Sequence, residues 1–231
     1  MINGIPPEDG GKAVVLFSAG KDSATSLEIA RHNHDEAIPL FLHFGTEEAA
    51  VNLDHVKEYF DSSLFEVMHL EDLMFPSFVR DQNMRQGVLN ESLDRDGDLE
   101  DDVPYLPMRS LAIGTCLAIA GDRLDADYLY WSFHQDEPLA SLDESVEALP
   151  VYEQFVQMTA PPGYNPVLVN PLGECEDGAD VVRLGLLHHV PWEKTRSCLR
   201  TEGAHCWECV SCQDRIEAFE KAGLEDPCYD G

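Results

Sequence analysis

Two stretches of this chain carry residues whose types and spacing could do chemistry. In the first, Leu16 and Phe17 lead from an apolar run into Ser18-Ala19-Gly20-Lys21-Asp22-Ser23, a turn of small and polar residues ahead of a helical segment. Such a turn exposes backbone N–H groups that no helical carbonyl reaches, with the positive end of the helix dipole behind them. That arrangement cradles anions, phosphate above all. Gly20 lets the backbone approach a phosphate closely, Ser18 and Ser23 offer hydroxyl donors, and Lys21 adds a cation. Asp22 would not face phosphate directly; capping of N–H groups and holding of a phosphate-bound magnesium ion both suit it. The turn is not a Walker A loop, because Asp22 follows Lys21 where Ser or Thr is required and Val15 replaces the upstream glycine. An ordinary strand-to-helix turn containing serine and glycine is the plain alternative.

The second stretch is Cys198, Cys206, Cys209 and Cys212, spaced C-x7-C-x2-C-x2-C. Each C-x2-C step lets two thiolates bend around one ion, and four thiolates complete a closed tetrahedron. With no ligand position left open, such a site is structural, and zinc is the expected ion. An iron–sulfur cluster and unliganded cysteines are the alternatives. His205 adjoins Cys206 and could compete as a ligand, although four thiolates suffice. Cys116 reads as core packing, and Cys175 and Cys228 have no partner at ligand spacing.

Composition narrows what these sites can serve. The 231 residues include 44 acidic against 15 basic ones, a formal charge of −29. Such a coat repels nucleic-acid phosphates, so a tRNA or DNA substrate is disfavoured and function is expected in a pocket. It also suits a protein working in high salt. An odd number of cysteines, seven, with four crowded into one short stretch, fits a reduced compartment and a metal site better than a disulfide framework. No apolar run is long enough to cross a membrane and the start lacks the regions of a signal peptide, so a cytoplasmic protein is expected.

The elements that must position these residues alternate between two periods. Ala13–Phe17 reads as a buried strand, Ala24–His32 as a helix, Ala37–Phe44 as a second strand, Val51–Phe60 as a helix and Leu64–Leu70 as a third strand. The acidic stretch Glu91–Asp102 reads as an exposed loop, its glycine misplaced for an EF-hand. Met108–Leu124 reads as a buried helix, Asp127–Phe133 as a fourth strand, Val167–Asn170 as a fifth and Ala179–His188 as a helix. Ser141–Pro150 and Ala160–Pro166 read as connections. His188 and His189 read as ordinary helix-end residues. Alternating strands and helices predict an α/β fold, a Rossmann-like parallel five-stranded sheet. The expected division is an α/β domain over 1–190 and a zinc-bound helical module over 191–231 packed on it.

The Ser18–Ser23 turn resembles the Ser-Gly-Gly-x-Asp-Ser loop of the N-type ATP pyrophosphatases, with Ala19 in place of the first glycine. These enzymes cleave ATP between the α and β phosphates, transfer AMP and hold pyrophosphate in that loop. The tail makes the resemblance more specific. Thr195-Arg196-Ser197-Cys198, the three further cysteines, Arg215, Phe219, Ala222-Gly223 and Asp226-Pro227 resemble the QueC C-terminus in order and spacing. Val103-Pro104 to Arg109-Ser110 is similar to the family's Val-Pro-x-Arg-Asn element. The resemblance therefore implies ATP, magnesium and zinc, with Leu16–Ser23 holding the nucleotide and Lys21, Asp22 and Arg109 serving the reaction. It also places the strand end His43-Phe44-Gly45-Thr46 beside the adenine. QueC enzymes adenylate the carboxylate of 7-carboxy-7-deazaguanine, accept ammonia, and adenylate the amide again to give the 7-cyano base. The resemblance further implies a homodimer.

Three departures from the family pattern bear on the product. Leu149-Pro150-Val151-Tyr152-Glu153-Gln154-Phe155 stands where the family has a Tyr-Pro-Asp-Cys-Arg segment of its base pocket. The family's Thr-Lys pair is absent after Pro171-Leu172, and Lys21 stands where the family often has an apolar residue, so Lys21 is expected to supply the missing cation. These changes suit a divergent QueC-like enzyme as well as a biosynthetic one. Relatives of that kind accompany antiviral systems such as type IV CBASS and join a deazaguanine to a protein amine. A zinc-binding interaction module without catalysis is the rival from another class. A tRNA thiolase is disfavoured by the acidic charge, and a sulfate-reductase-like enzyme would lean on Cys228 as nucleophile.

Overall fold

The computed structural model describes residues 10–44, 47–59, 66–69, 109–135, 148–201 and 205–229. Gly45, Thr46, the Glu91–Asp102 stretch and Val103 to Met108 lie outside the described residues, as do Ser141 to Glu147.

Five parallel strands form the centre, in the order β3-β2-β1-β4-β5. They are β1 (Lys12–Leu16), β2 (Glu36–His43), β3 (Glu66–His69), β4 (Tyr128–Tyr130) and β5 (Val167–Val169). Between and after them come α1 (Lys21–Asn33), α2 (Glu47–Tyr59), α3 (Arg109–Leu124), α4 (Leu149–Thr159), α5 (Gly178–Leu187) and α6 (Val210–Ala222). The predicted α/β class and the parallel five-stranded sheet are what the structure shows.

The reason is visible in β1. Successive side chains of a strand point to opposite faces, and both faces of this one are covered. Ala13, Val15 and Phe17 pack into one core with Leu27 and Ile29 of α1, Val181 and Val182 of α5, and Ala218 and Phe219 of α6. Val14 packs into a second core with Leu40, Leu129, Leu117 of α3, and Leu149 and Val156 of α4. A strand buried on both sides is an uninterrupted apolar run, as parallel strands between helical layers are. Pro39 is tolerated in β2 because β3 begins to pair only at the next residue, Leu40.

Two elements depart from expectation. β4 is shorter than Asp127–Phe133: the ladder ends at Tyr130, and Trp131 to Phe133 leave it toward the crevice. Asn170 holds that exit, its Oδ1 accepting from Phe133 N at 3.1 Å and its Nδ2 donating to Phe133 O at 2.9 Å. The second is α4, which starts at Leu149, inside a stretch expected to be a connection. Pro150 there occupies the first turn of a helix, where its missing N–H has no partner to lose.

Candidate functional site

The chain leaves β1 for β2 on one side and returns to β4 on the other, so the strand order reverses between β1 and β4. Open parallel sheets bind ligands in the crevice beyond the strand ends at such a point. A cavity of about 290 Å³ opens there. Its walls are Leu16, Phe17, Ser18, Gly20, Asp22 and Ser23 from β1 and the following turn, and Leu40, Phe41, Leu42 and Phe44 from β2. Ser110 and Ile113 of α3 close one side, and Trp131, Ser132 and Phe133 close another.

The turn has a defined internal order. Ser23 Oγ lies 3.1 Å from Gly20 O and 3.2 Å from Ser18 Oγ, and it accepts from Ser18 N at 3.2 Å. Ala19 takes a left-handed backbone, φ 68°, which costs a residue with a Cβ roughly 1–2 kcal/mol and which glycine adopts freely. Gly20 is the reverse case. Its φ of −72° suits any residue, and an added Cβ would meet only Ser18 Oγ at 3.5 Å and Arg196 O at 3.8 Å. Gly20 is the N-cap of α1, a position that glycine suits better than alanine, and it lines the cavity. No side chain caps the start of α1, so its first N–H groups remain available to an anion.

Asp22 lines the cavity and does not cap. Its Oδ2 lies 3.2 Å from the Lys21 ammonium, and its Oδ1 is buried without a hydrogen-bond partner. Lys21 is buried and also pairs with Asp214 Oδ2 at 2.8 Å. Burial works against its charge, but the two carboxylates outweigh it and hold the ammonium above its ordinary pKa.

The structure thus brings Leu16, Phe17, Ser18, Gly20, Asp22, Ser23 and Phe44 together around one cavity. Ala19 is buried in the core behind it and Lys21 faces α6, so neither lines it. His43 is also outside the lining, its ring 5.1 Å from that of its register partner His69. Arg109 begins α3, one residue before Ser110. Trp131, Ser132 and Phe133 are wall residues, although their sequence continues the strand pattern of β4. Their place just past the carboxyl end of β4 was the signal, since ligands sit at that edge.

The second site lies in the tail. The sulfurs of Cys198, Cys206, Cys209 and Cys212 all fall within 4.8 Å of one another, Cys206 and Cys212 being 3.9 Å apart. A tetrahedral ion with bonds of roughly 2.3 Å separates its sulfurs by roughly 3.8 Å, so these four thiols could hold a metal. Amides turn toward the sulfurs as they do around thiolates: Arg200 N to Cys198 at 3.4 Å, and Cys209 N and Glu208 N to Cys206 at 3.3 and 3.5 Å. Burial alone would raise the Cys206 pKa; those two amides and the adjoining thiols bring it down to about 6. His205 stays outside the sulfur group. Burial and then the Arg215 charge push its pKa down to about 4, and its neutral Nε2 accepts from Ser197 N at 3.2 Å.

Behind the sulfurs, fully buried Arg215 is held on four sides. Its guanidinium meets Asp226 at 2.5 and 2.8 Å, Thr195 Oγ1 at 2.7 Å and Trp192 O at 3.3 Å, and lies 5.2 Å from the Phe219 ring centre. Arg196, also buried, donates from Nη1 to Asn52 Oδ1 of α2 and to Cys198 O, and from Nη2 to Arg200 O.

Fold and crevice define a class first: a Rossmann-like α/β protein with a cavity lined by the β1–α1 turn at its switch point. The chain belongs to the QueC family, whose profile, described as "Queuosine biosynthesis protein QueC", matches residues 12–223. It is 29% identical over 230 residues to the 7-cyano-7-deazaguanine synthase of Oceanobacillus iheyensis, covering 94% of this chain and 97% of that one. The enzyme of the same name from Halobacterium salinarum is 28% identical over 94% of each chain. Among solved structures, the U34-tRNA thiolase NcsA from Methanococcus maripaludis with its [4Fe-4S] cluster is similar at TM-score 0.46 and 14% identity. That likeness covers 94% of this chain and 66% of the thiolase. Among the described residues, no helix is long and apolar enough to cross a membrane.

Proposed function

We propose that this chain is an ATP-dependent carbon–nitrogen ligase that converts 7-carboxy-7-deazaguanine to 7-cyano-7-deazaguanine. A carboxylate oxygen attacks the α-phosphorus of ATP and pyrophosphate leaves. Ammonia then displaces AMP to give the amide. A second adenylation, on the amide oxygen, followed by loss of AMP and a proton gives the nitrile. The carboxylate is a poor electrophile until its oxygen becomes a leaving group, so the protein's work is positioning and stabilising phosphate charge.

One observation carries the reading: the start of α1 has no side-chain cap, and Ser18, Gly20, Asp22 and Ser23 of that turn line the cavity. The relatives' names supply the substrate. Ser18, Ser23 and the first amides of α1 would hold the released pyrophosphate. Asp22 Oδ1 would take the magnesium that accompanies ATP. The planar base would lie among Phe44, Trp131 and Phe133. A zinc ion on Cys198, Cys206, Cys209 and Cys212 would hold the tail together with no open position for chemistry.

The test is to incubate the protein with ATP, magnesium and the acid, with and without ammonium, and to follow AMP, pyrophosphate and product mass. Nitrile formation with about two AMP per product is expected. Absence of acid-dependent pyrophosphate from folded, metal-loaded protein would sink the substrate assignment. A second reading rests on α4, where Val151 and Phe155 are exposed apolar residues in the segment that replaces the family's Asp, Cys and Arg. Under it, the acyl adenylate passes to a protein amine, so the reaction without that amine would stop at the adenylate with pyrophosphate but no AMP released, or with ammonium at the amide after one AMP.

A further inference from the structure

Lys21 is fixed by more than its own helix. Its ammonium reaches Asp22 Oδ2 at 3.2 Å and Asp214 Oδ2 at 2.8 Å, with only 6% of the side chain exposed. Its stem is clamped as well: a Cβ on Gly178, at the start of α5, would meet Lys21 Cε and Ala218 Cβ at 3.1 Å each. The lysine thus lies between α1, α5 and α6.

Its two carboxylate partners belong to different sites. Asp22 lines the cavity, while Asp214 sits on α6 two residues past the thiol of Cys212. The oxygens of Asp22 are used unequally. Oδ2 is engaged by Lys21, whereas Oδ1 is buried without a hydrogen bond, His134 Nε2 standing 3.9 Å from it. A buried acceptor left without a donor is costly, and among the described residues no hydrogen-bond donor meets this one, although the Asp22 side chain as a whole keeps 29% exposure. The same tail grips the turn a second time: Arg196 N, two residues before Cys198, donates to Ala19 O at 2.8 Å.

We propose that Lys21 is a positioning residue through which the thiol-bearing tail orients Asp22. The Asp214–Lys21–Asp22 bridge holds Oδ2 and leaves Oδ1 as the acceptor for a divalent cation arriving with the nucleotide. This rests on the ATP reading above. It differs from the expectation that Lys21 supplies a phosphate contact, because an ammonium committed to two carboxylates and directed at α6 does not reach the cavity. Loosening α6 would then weaken the cation site without touching the phosphate cradle.

The experiment is a calorimetric titration of ATP into the full chain, with magnesium and in magnesium-free buffer without chelator. Wild type, Asp214→Asn, Lys21→Met and the double variant are compared, and thiol-bound metal is measured by emission spectrometry in each. Asp214 is half exposed, so its substitution keeps the test open if Lys21→Met folds poorly. Each single variant is expected to weaken ATP about five- to tenfold with magnesium, and less than about twofold without it. The double variant should be no worse than either single one, and bound metal should be unchanged.

Wild-type magnesium–ATP affinity in Asp214→Asn would overturn the proposal. So would additive losses in the double variant, equal losses with and without magnesium, or loss of bound metal from Asp214→Asn. Failure of the wild type itself to bind ATP would overturn the ligase reading first, and that is seen before any variant is compared.

Discussion

At the scale of single residues, Ala19 and Gly20 invert the usual expectation of a glycine turn. The position that takes a left-handed backbone carries alanine, and the one that any residue could adopt carries glycine. Gly20→Ala should therefore keep the fold, with Tm within about 3 °C of the parent. Its ATP affinity should fall at least about tenfold, since the methyl occupies the phosphate's approach. Equal ATP binding in calorimetry would show that the glycine serves nothing in the cavity. Ala19→Val is the converse case: a β-branched residue at φ 68° should cost stability outright, with no folded population of weakened affinity. Arg215 tests the tail. Arg215→Met strands the Asp226 carboxylate, which is 3% exposed, and should cost about 3–5 kcal/mol, a drop of roughly 10 °C by scanning calorimetry. Adding Asp226→Leu should recover much of that loss, as replacing both partners of a buried pair does.

At the scale of elements, β1 and the second half of β2 were legible because both of their faces are buried, which leaves short apolar runs between polar segments. The helix over Leu149–Thr159 was not, because a proline in its first turn looks the same in sequence as one that ends a helix. The site divides the same way. The turn over Ser18 to Ser23 was legible because its residues are consecutive, and the grouping of the four cysteines because their spacing is local. The far wall, Ser110, Ile113, Trp131 and Ser132, comes from elements joined only by folding. The Lys21–Asp214 pair spans 193 positions of chain, and no local pattern announces it. Metal removal is a test at this scale. Cys212→Ser should lose bound metal, and amides of Val210–Ala222 should exchange faster while those of β1 and β4 stay protected. Equal protection of α6 in the variant would show that Arg215 and the core hold the helix without the ion.

At the scale of the whole molecule, a charge of −29 on 231 residues works against compactness. Salt shortens the reach of that repulsion from about 10 Å at 0.1 M to about 3 Å at 1 M. The thermal midpoint should therefore climb as potassium chloride is raised toward 1 M, in contrast to a chain held by surface ion pairs. A midpoint that falls with salt would mean that pairs such as Arg123–Glu66 outweigh the acidic coat. The strand order has a consequence of another kind, in time. β1 is central, yet Asp127, whose carboxylate receives the Lys12 amide beside β4, lies 115 residues further on. At 5–20 residues per second, a ribosome needs roughly 6–23 s to deliver the neighbouring strand. Throughout that interval Ala13 to Leu16 present a bare apolar edge in the nascent chain, a ready template for mispairing. The tail that braces the Ser18–Ser23 turn emerges after all five of these strands, so an unfinished chain can hold the sheet before that turn is braced.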